Sequence, residues 1–414
     1  MPSESDTGSI SSTSSRQLCD LDEYSLEHVF LFLSVADLDR CVLVCKKFQH
    51  IIQRFVFPKK CLRALVGGSP CGAALSLYAF TRRKRVKLDE NWRYGRYEER
   101  SYFNHNVMYI SRLAIDRDWL YITHRGRLQA HRRTKDRQMV ATGSQWVMGV
   151  ARDSDITSLV QMGDRFLMGR MNGQIVLYDP ATTRSYSQTV TNDIIKAVDF
   201  NTDVYAVTTK NDSTYILNRS SLELEPLSMH SDGLLTESFV FPEAYETIKL
   251  NSNQLVGGKF HCSKKQALQL IDLFSCTMIQ LNSPSMAVYD VLWMDEHCIL
   301  SGNFDTTMRL IDTRTGGDEA CWTDPYNASV YCLCYNGTYA VHCGMKYHHR
   351  ANLYDIRVPN RCVQMYFPSK KHNHYSPVYS IAADCSQMFL VTDHNLRILN
   401  FDADWAATKD YAAM

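Results

Sequence analysis

The side chains with the most evident chemistry are five pairings of histidine and cysteine: His261-Cys262, Cys332 with Cys334, His342-Cys343, His348-His349 and His372 with His374. Imidazole and thiolate bind zinc, but a structural zinc site draws its ligands from two paired sets at regular spacing. No such matching sets occur here. Cys332 and Cys334 alternate along one apolar stretch, which turns both toward a single packed layer. Core cysteines and loop histidines are the reading that follows, with no metal and no cofactor expected. The chain also lacks a Gly-x-x-x-x-Gly-Lys phosphate loop, a Gly-x-Ser-x-Gly elbow and a His-Glu-x-x-His helix. A non-catalytic binding module is therefore expected rather than an enzyme.

The elements that must position any binding side chain are repeated hairpins. Ser301 to Asp312 reads as a short strand, a tight turn carrying Asp305 and an alternating strand ending at Asp312. Weaker copies end at Asp179, Asn218, Asp272, Asp355 and Asn400, with a first, weaker still, ending at His131. Apolar strands such as Ile156–Val160, Val288–Leu292, Val330–Cys334 and Pro377–Ile381 precede them. Most intervals lie near the roughly 40 to 45 residues of a four-stranded propeller blade. Seven copies predict seven blades. The last lacks an outer strand after Asn400, and Tyr94 to Phe103 is placed to supply it from the other end of the propeller.

With 414 residues the chain has room for a closed propeller and one smaller unit. Its 45 Lys and Arg against 44 Asp and Glu leave a net charge of +1, so no overall field draws it to nucleic acid or to a membrane. Fourteen scattered cysteines and an N-terminus without a signal-peptide pattern predict reduced thiols and a cytoplasmic or nuclear setting. No apolar run approaches the roughly 18 residues of a membrane span.

Residues 1–15 are rich in Ser and Thr and are expected to be disordered. Asp20 with Glu23 marks a helix start, and Leu26, Val29, Phe30 and Leu33 recur at helical spacing. Leu31 and Phe32 widen that stripe beyond the needs of one small core. Ser34 with Asp37 opens a second helix through Leu38, Cys41, Val42 and Cys45, and Phe48, Ile51 and Ile52 continue the pattern. Three short helices with surplus apolar surface point to a partner. Residues 58–90 read as a helical linker, whose basic run Arg82 to Arg85 with Lys87 reads as a solvated face or a nuclear localisation signal.

Leu21, Tyr24-Ser-Leu-Glu-His-Val-Phe, Phe32-Leu-Ser-Val-Ala-Asp-Leu and Val42-Leu-Val-Cys-Lys-Lys-Phe resemble an F-box, with Asp22 where that family has Pro. The hairpins resemble WD repeats. Asp305 with Ser301 keeps part of that family's hydrogen-bonded set, Ile311 replaces its Trp, and Tyr178 and Tyr354 stand at the Trp place elsewhere. Together with Asn91-Trp92-Arg93-Tyr94-Gly95-Arg96, Ser376-Pro-Val-Tyr and Leu396-Arg-Ile-Leu-Asn-Phe, these stretches resemble the dactylin-type F-box/WD-repeat proteins over nearly the whole chain.

The resemblance implies a mainly β fold: a seven-bladed WD-repeat propeller over 91–402, preceded by a small helical F-box domain over 16–57, with a tail from 403 to 414. It implies the substrate-recognition subunit of a Skp-cullin-F-box ubiquitin ligase. The Skp-binding residues would be Leu21, Leu26, Val29, Phe30, Leu31, Phe32, Leu38 and Val42. On the propeller, the rim turns carry Arg125, Arg170, Lys210, Lys259, Phe304, Lys346 and Tyr347, and the entering loops carry Tyr245, Tyr326 and Tyr375. Basic and aromatic groups around one mouth suit an acidic or phosphorylated protein segment. The competing class is a WD-repeat scaffold without ubiquitin transfer, distinguished by whether Skp and cullin co-purify.

Overall fold

The computed structural model describes residues 18–67, 77–104, 111–133, 140–141, 143–150, 152–211, 213–218, 239–263, 266–367, 376–393 and 395–403. The tail over 1–15, the start of the helix expected around residues 73–80, His372, His374, Tyr375 and the segment after Ala403 lie outside them. The chain divides into two compact units, Met1–Ala64 with Thr81–Glu90, and Leu65–Phe80 with Asn91–Met414. The stretch read as one linker is thus shared between the units.

The first unit is helical: α1 (Glu23–Leu31), α2 (Val35–Val42), α3 (Lys46–Ile51), α4 (Phe57–Leu62) and α5 (Arg82–Arg93), the last contributing up to Glu90. The cap of α1 is Asp22, whose carboxylate accepts the Ser25 N–H at 3.3 Å, and not the expected Asp20. The residue that departs from the F-box opening is therefore the one that satisfies a free N–H of the first turn. Ser34 caps α2 as expected, accepting the Asp37 N–H at 3.2 Å. Leu26, Phe30, Val35, Leu38, Phe48, Ile51, Ile52, Val56, Phe57 and Val86 form the core, with Phe30 edge-on to Phe48 at 5.0 Å. Glu90 on α5 accepts the Val35 N–H at 3.0 Å, and Arg83 forks onto Asp39 at 2.6 and 2.5 Å. These contacts from α5 enlarge a core that three short helices would leave marginal.

The second unit is a seven-bladed propeller. Among its described residues the strands form seven four-stranded antiparallel sheets, and their inner strands neighbour one another around a closed ring. The third strands end at Arg132, Asp179, Asn218, Asp272, Asp312, Asp355 and Asn400, so the hairpin ends read from the pattern match all but the first, which is one residue late. The seventh sheet is completed from before the first blade. Glu98–Asn104 pairs antiparallel with Asn395–Asn400, Glu98 opposite Asn400 and Tyr102 opposite Leu396. The expected segment Tyr94 to Phe103 is thus right, with pairing that begins four residues later.

Neighbouring blades fit through one recurring contact. At four junctions a buried β-branched residue, Ile195, Val288 and Val330 opening the inner strand of a blade and Val378 two residues before one, meets a glycine in the second strand of the blade before it. A Cβ on Gly169, Gly258, Gly302 or Gly344 would lie 2.4, 2.7, 2.9 or 2.8 Å from a methyl of that residue. Only hydrogen leaves room for so close an approach.

The Asn-Trp-Arg-x-Gly-Arg stretch anchors the closing strand. Trp92 is fully buried, stacks on Phe401 with centroids 3.5 Å apart, and donates its indole N–H to the Cys385 carbonyl at 2.9 Å. Tyr366 donates its hydroxyl to the Trp92 carbonyl at 2.7 Å, and the Asn91 amide reaches the carbonyls of Phe401 and Ala403 at 2.8 and 3.3 Å. Gly95 turns the chain with φ of 62° so that the Arg96 N–H returns to the Asn91 carbonyl.

The WD-type set differs from expectation. Asp305 accepts from Thr307 at 2.6 Å and Arg309 at 2.7 Å, whereas Ser301 accepts from Asn303, so Asp305 and Ser301 are not joined. Arg309 also binds Asp318, tying the turn to the outer strand. In the sixth blade a buried pair, Arg350 with Asp324 at 2.7 Å, is completed by Asn352 donating to Asp324 at 2.8 Å.

Replacing Trp92 with Ala should cost about 3–5 kcal/mol, lowering the melting temperature by on the order of 10 °C. Tyr94→Ala, at a half-exposed neighbour, should change stability by under about 0.5 kcal/mol. Thermal denaturation of both variants checks this, and equal effects would remove Trp92 from its anchoring role.

His342 lies against Trp92 at 4.9 Å, fully buried, with neither ring nitrogen hydrogen-bonded. Burial drives its pKa down to about 3. The unfolded chain takes up this proton near pH 6.5 and the folded chain does not, so stability is complete above pH 6.5 and falls as pH drops below it. Going from pH 7 to pH 5 should cost about 2 kcal/mol through this residue. Urea titrations at both pH values should show that difference shrinking in His342→Leu, and an unchanged pH slope would exclude His342 as its source.

Candidate functional site

On the propeller, the turns between second and third strands share a rim with the starts of the inner strands. Arg125, with φ of 55°, and Lys210 stand exposed on it. Two other cations expected there are already matched. Arg170 is buried and faces Asp153 at 3.5 Å, and Lys259 pairs with Glu243 at 2.6 Å. Tyr245 corrects the expectation, because it is 1% exposed and belongs to the core between blades. Its ring fills the space beside Gly257, and its hydroxyl donates to Gln269 at 2.7 Å. Phe304 and Tyr326 are exposed, while Lys346 and Tyr347 are partly buried. The Arg350 guanidinium lies 5.3 Å from the Tyr326 ring.

Four aromatic residues absent from the expected set join Phe304 on this rim. Tyr289 and Tyr331 stack at 4.5 Å with planes 25° apart, Tyr331 meets Tyr379 edge-on at 5.7 Å, and Tyr289 contacts Phe260 at 5.9 Å and Phe304 at 6.3 Å. The ladder thus runs over blades four to seven. Pairing skips one residue in four inner strands, between Ile156 and Ser158, Ile195 and Ala197, Val288 and Asp290, and Val330 and Cys332. The skipped residues are Thr157, Lys196, Tyr289 and Tyr331. A bulge of this kind releases a side chain from the regular alternation and re-aims it. The sequence did carry a signal, the recurring Val-Tyr at 288–289, 330–331 and 378–379. It is visible only when inner strands are aligned by blade.

Burial, then the neighbouring Tyr331 hydroxyl, pushes the Tyr289 phenol above its ordinary value, and burial with Asp393 does the same to Tyr379. Both rings therefore keep their O–H near neutral pH. Two carboxylates are also shifted upward by desolvation, that of the buried Asp199 and that of the partly buried Asp290. Each accepts a backbone N–H of the next inner strand, Leu250 at 2.7 Å and Leu333 at 2.8 Å. Their task is joining blades. Among the described residues no group of three or more His, Cys, Asp or Glu is placed to hold a metal ion. Burial raises the thiols of Cys332 and Cys343, the reverse of what a ligand thiolate needs.

On the helical unit the expected contact residues separate into two groups. Leu26, Phe30 and Leu38 are fully buried in the unit's own core and offer no outer surface, which corrects their assignment. Leu31 and Val42 are half-buried against that core. Leu21, Val29 and Phe32 remain exposed, Phe32 at 89%. Tyr24, Leu43 and Val44, outside the expected set, add large exposed apolar side chains, Leu43 at 85%.

Residues 18–60 match the F-box domain family. The chain therefore carries an F-box domain followed by a seven-bladed propeller. Over 391 residues it is 23% identical to the F-box/WD repeat-containing protein 4 of Homo sapiens, covering 92% of each chain. The mouse protein (Mus musculus) of the same description is 22% identical over 325 residues, 77% of each chain. The crystal structure of the computationally designed Ika8 protein aligns with a TM-score of 0.52 at 12% identity, over 72% of this chain and 98% of that one, a likeness of fold.

Leu26→Asp should unfold the helical unit, since an unpaired charge in an apolar core costs several kcal/mol. Phe32→Asp should leave its folding unchanged. Amide hydrogen exchange resolved to residues 18–60 checks both, and equal protection in the two variants would contradict the burial pattern.

Proposed function

We propose that this protein is a non-catalytic target-recruiting subunit of a Skp-cullin-F-box ubiquitin ligase. The observation that carries the reading is the large apolar surface left outside the F-box core, formed by Leu21, Tyr24, Val29, Phe32, Leu43 and Val44. Large apolar side chains left in solvent suit a protein interface. The F-box match and the similarity to F-box/WD-repeat proteins supply the partner's class, the Skp adaptor and through it a cullin.

In this reading the propeller holds a protein target by its aromatic rim. Ubiquitin transfer then depends on proximity, because tethering acceptor lysines near a charged thioester raises their effective concentration. The near-neutral chain suits a protein target better than nucleic acid or membrane.

The test is co-purification of Skp and cullin with the full chain. Phe32→Asp and Leu43→Asp together should reduce Skp recovery by at least about tenfold, since truncating an interface anchor commonly costs 2 kcal/mol or more. The melting transition of the propeller should not move. Recovery of neither Skp nor cullin with the unaltered chain would favour a scaffold without ubiquitin transfer.

A further inference from the structure

Most cations near the propeller mouth already have acceptors. Lys196 pairs with Glu246 at 2.9 Å, Lys259 with Glu243, Arg170 with Asp153, Arg309 with Asp305 and Arg350 with Asp324. Arg112 gives its N–H groups to the carbonyls of Thr157 and Tyr379, both at 3.2 Å. Lys346 differs. Its ammonium is partly buried, 5.7 Å from the centre of the Phe304 ring and 5.3 Å from that of Tyr347, and among the described residues no carboxylate is within ion-pair reach. The ring faces fix the ammonium without using its hydrogen-bond donors. Beside it runs the Tyr289–Tyr331 stack, flanked by Phe260, which is 58% exposed.

A positioned ammonium with unused donors next to partly exposed rings is complementary to an anion carried beside a flat apolar group. One ammonium suits a singly charged carboxylate. A phosphate, with nearly two charges and three acceptor oxygens, favours a cluster of free cations, and the exposed Arg125 and Lys210 stand on blades one and three, away from Lys346 on blade six. We propose that this rim binds a partner-protein segment in which an Asp or Glu adjoins an aromatic residue or proline, the carboxylate on Lys346 and the flat side chain on Tyr289 and Tyr331. This rests on the reading of the propeller as the target-holding unit and narrows the expected acidic or phosphorylated segment to an unphosphorylated acidic-aromatic one.

The experiment pans a phage-displayed library of random peptides against the purified full chain, then measures a synthetic enriched peptide by fluorescence anisotropy. The unaltered protein should enrich Asp or Glu next to Phe, Tyr, Trp or Pro. Lys346→Ala and Tyr331→Ala should each weaken the peptide by about tenfold or more, as loss of a charged hydrogen bond or a stacking partner does. Lys346→Glu should re-select the library for Lys or Arg at the acidic position. Matching melting curves establish that the variants are folded. Sensitivity to Tyr331→Ala with no change of charge preference in Lys346→Glu overturns the carboxylate assignment while keeping the rim as the binding face. Indifference to both, or no enrichment, overturns the rim itself, and tighter binding of a phosphoserine peptide overturns the unphosphorylated class. None of these readouts depends on Skp, so the ligase reading stands or falls separately.

Discussion

The propeller depends on a contact of a few ångströms, the methyl of an inner-strand Ile or Val seated where the preceding blade has only glycine. Inner strands of adjacent sheets crowd at the ring's centre, and a side chain on each facing position would push the blades apart. Glycine on one side and a β-branched residue on the other fills the gap without a void, which is the condition for a rigid interior. The pairs Gly169 with Ile195, Gly258 with Val288, Gly302 with Val330 and Gly344 with Val378 apply one solution at four of the seven junctions. Such packing is cooperative only if the ring closes. The Glu98–Asn104 strand and the Trp92 anchor are therefore part of the same constraint.

A closed ring lets the blades depart from a uniform hydrogen-bonded set. Asp305 turned to Arg309, and Arg350 buried with Asp324 and Asn352, are different polar answers within one β framework. Breaking the buried pair from one side would strand a charge, whereas the pair itself is weak evidence of added stability. Packing between blades is the larger common term. The same logic explains His342, which neither donates nor accepts and contributes only its volume against Trp92.

Much of this architecture was legible because it repeats. Strand endings from Asp179 to Asn400 and the need for an outside strand follow from periodicity, and Ser34 with Asp37 follows from helix-start chemistry. The site was less legible because its decisive facts are distances across the sequence. Nothing local to Lys259 or Arg170 announces Glu243 or Asp153, and Tyr245 looks like any loop aromatic until Gly257 places it in the core. In the helical unit Leu26 and Phe32 differ little in type, yet one is fully buried and the other 89% exposed. Short helices have too few turns for a stripe to assign every apolar residue a side. The cap at Asp22 was missed for a related reason, since Asp20 and Asp22 are both suitable acids and only backbone geometry selects between them.

The bulge in the inner strands separates stability from recognition. The residue before it, Ile156, Ile195, Val288 or Val330, is buried, and the last three each face a glycine of the preceding blade. The residue at the bulge leaves the ladder and varies from Thr157 and Lys196 to Tyr289 and Tyr331. A change at the second position alters the mouth while the contact at the first still holds the blades. In this chain the polar residues fall in blades two and three and the tyrosines in blades five and six, so the mouth has two chemically distinct halves. Lys196 is matched by Glu246 on the polar half, whereas Lys346 stands within the aromatic half against the rings of Phe304 and Tyr347.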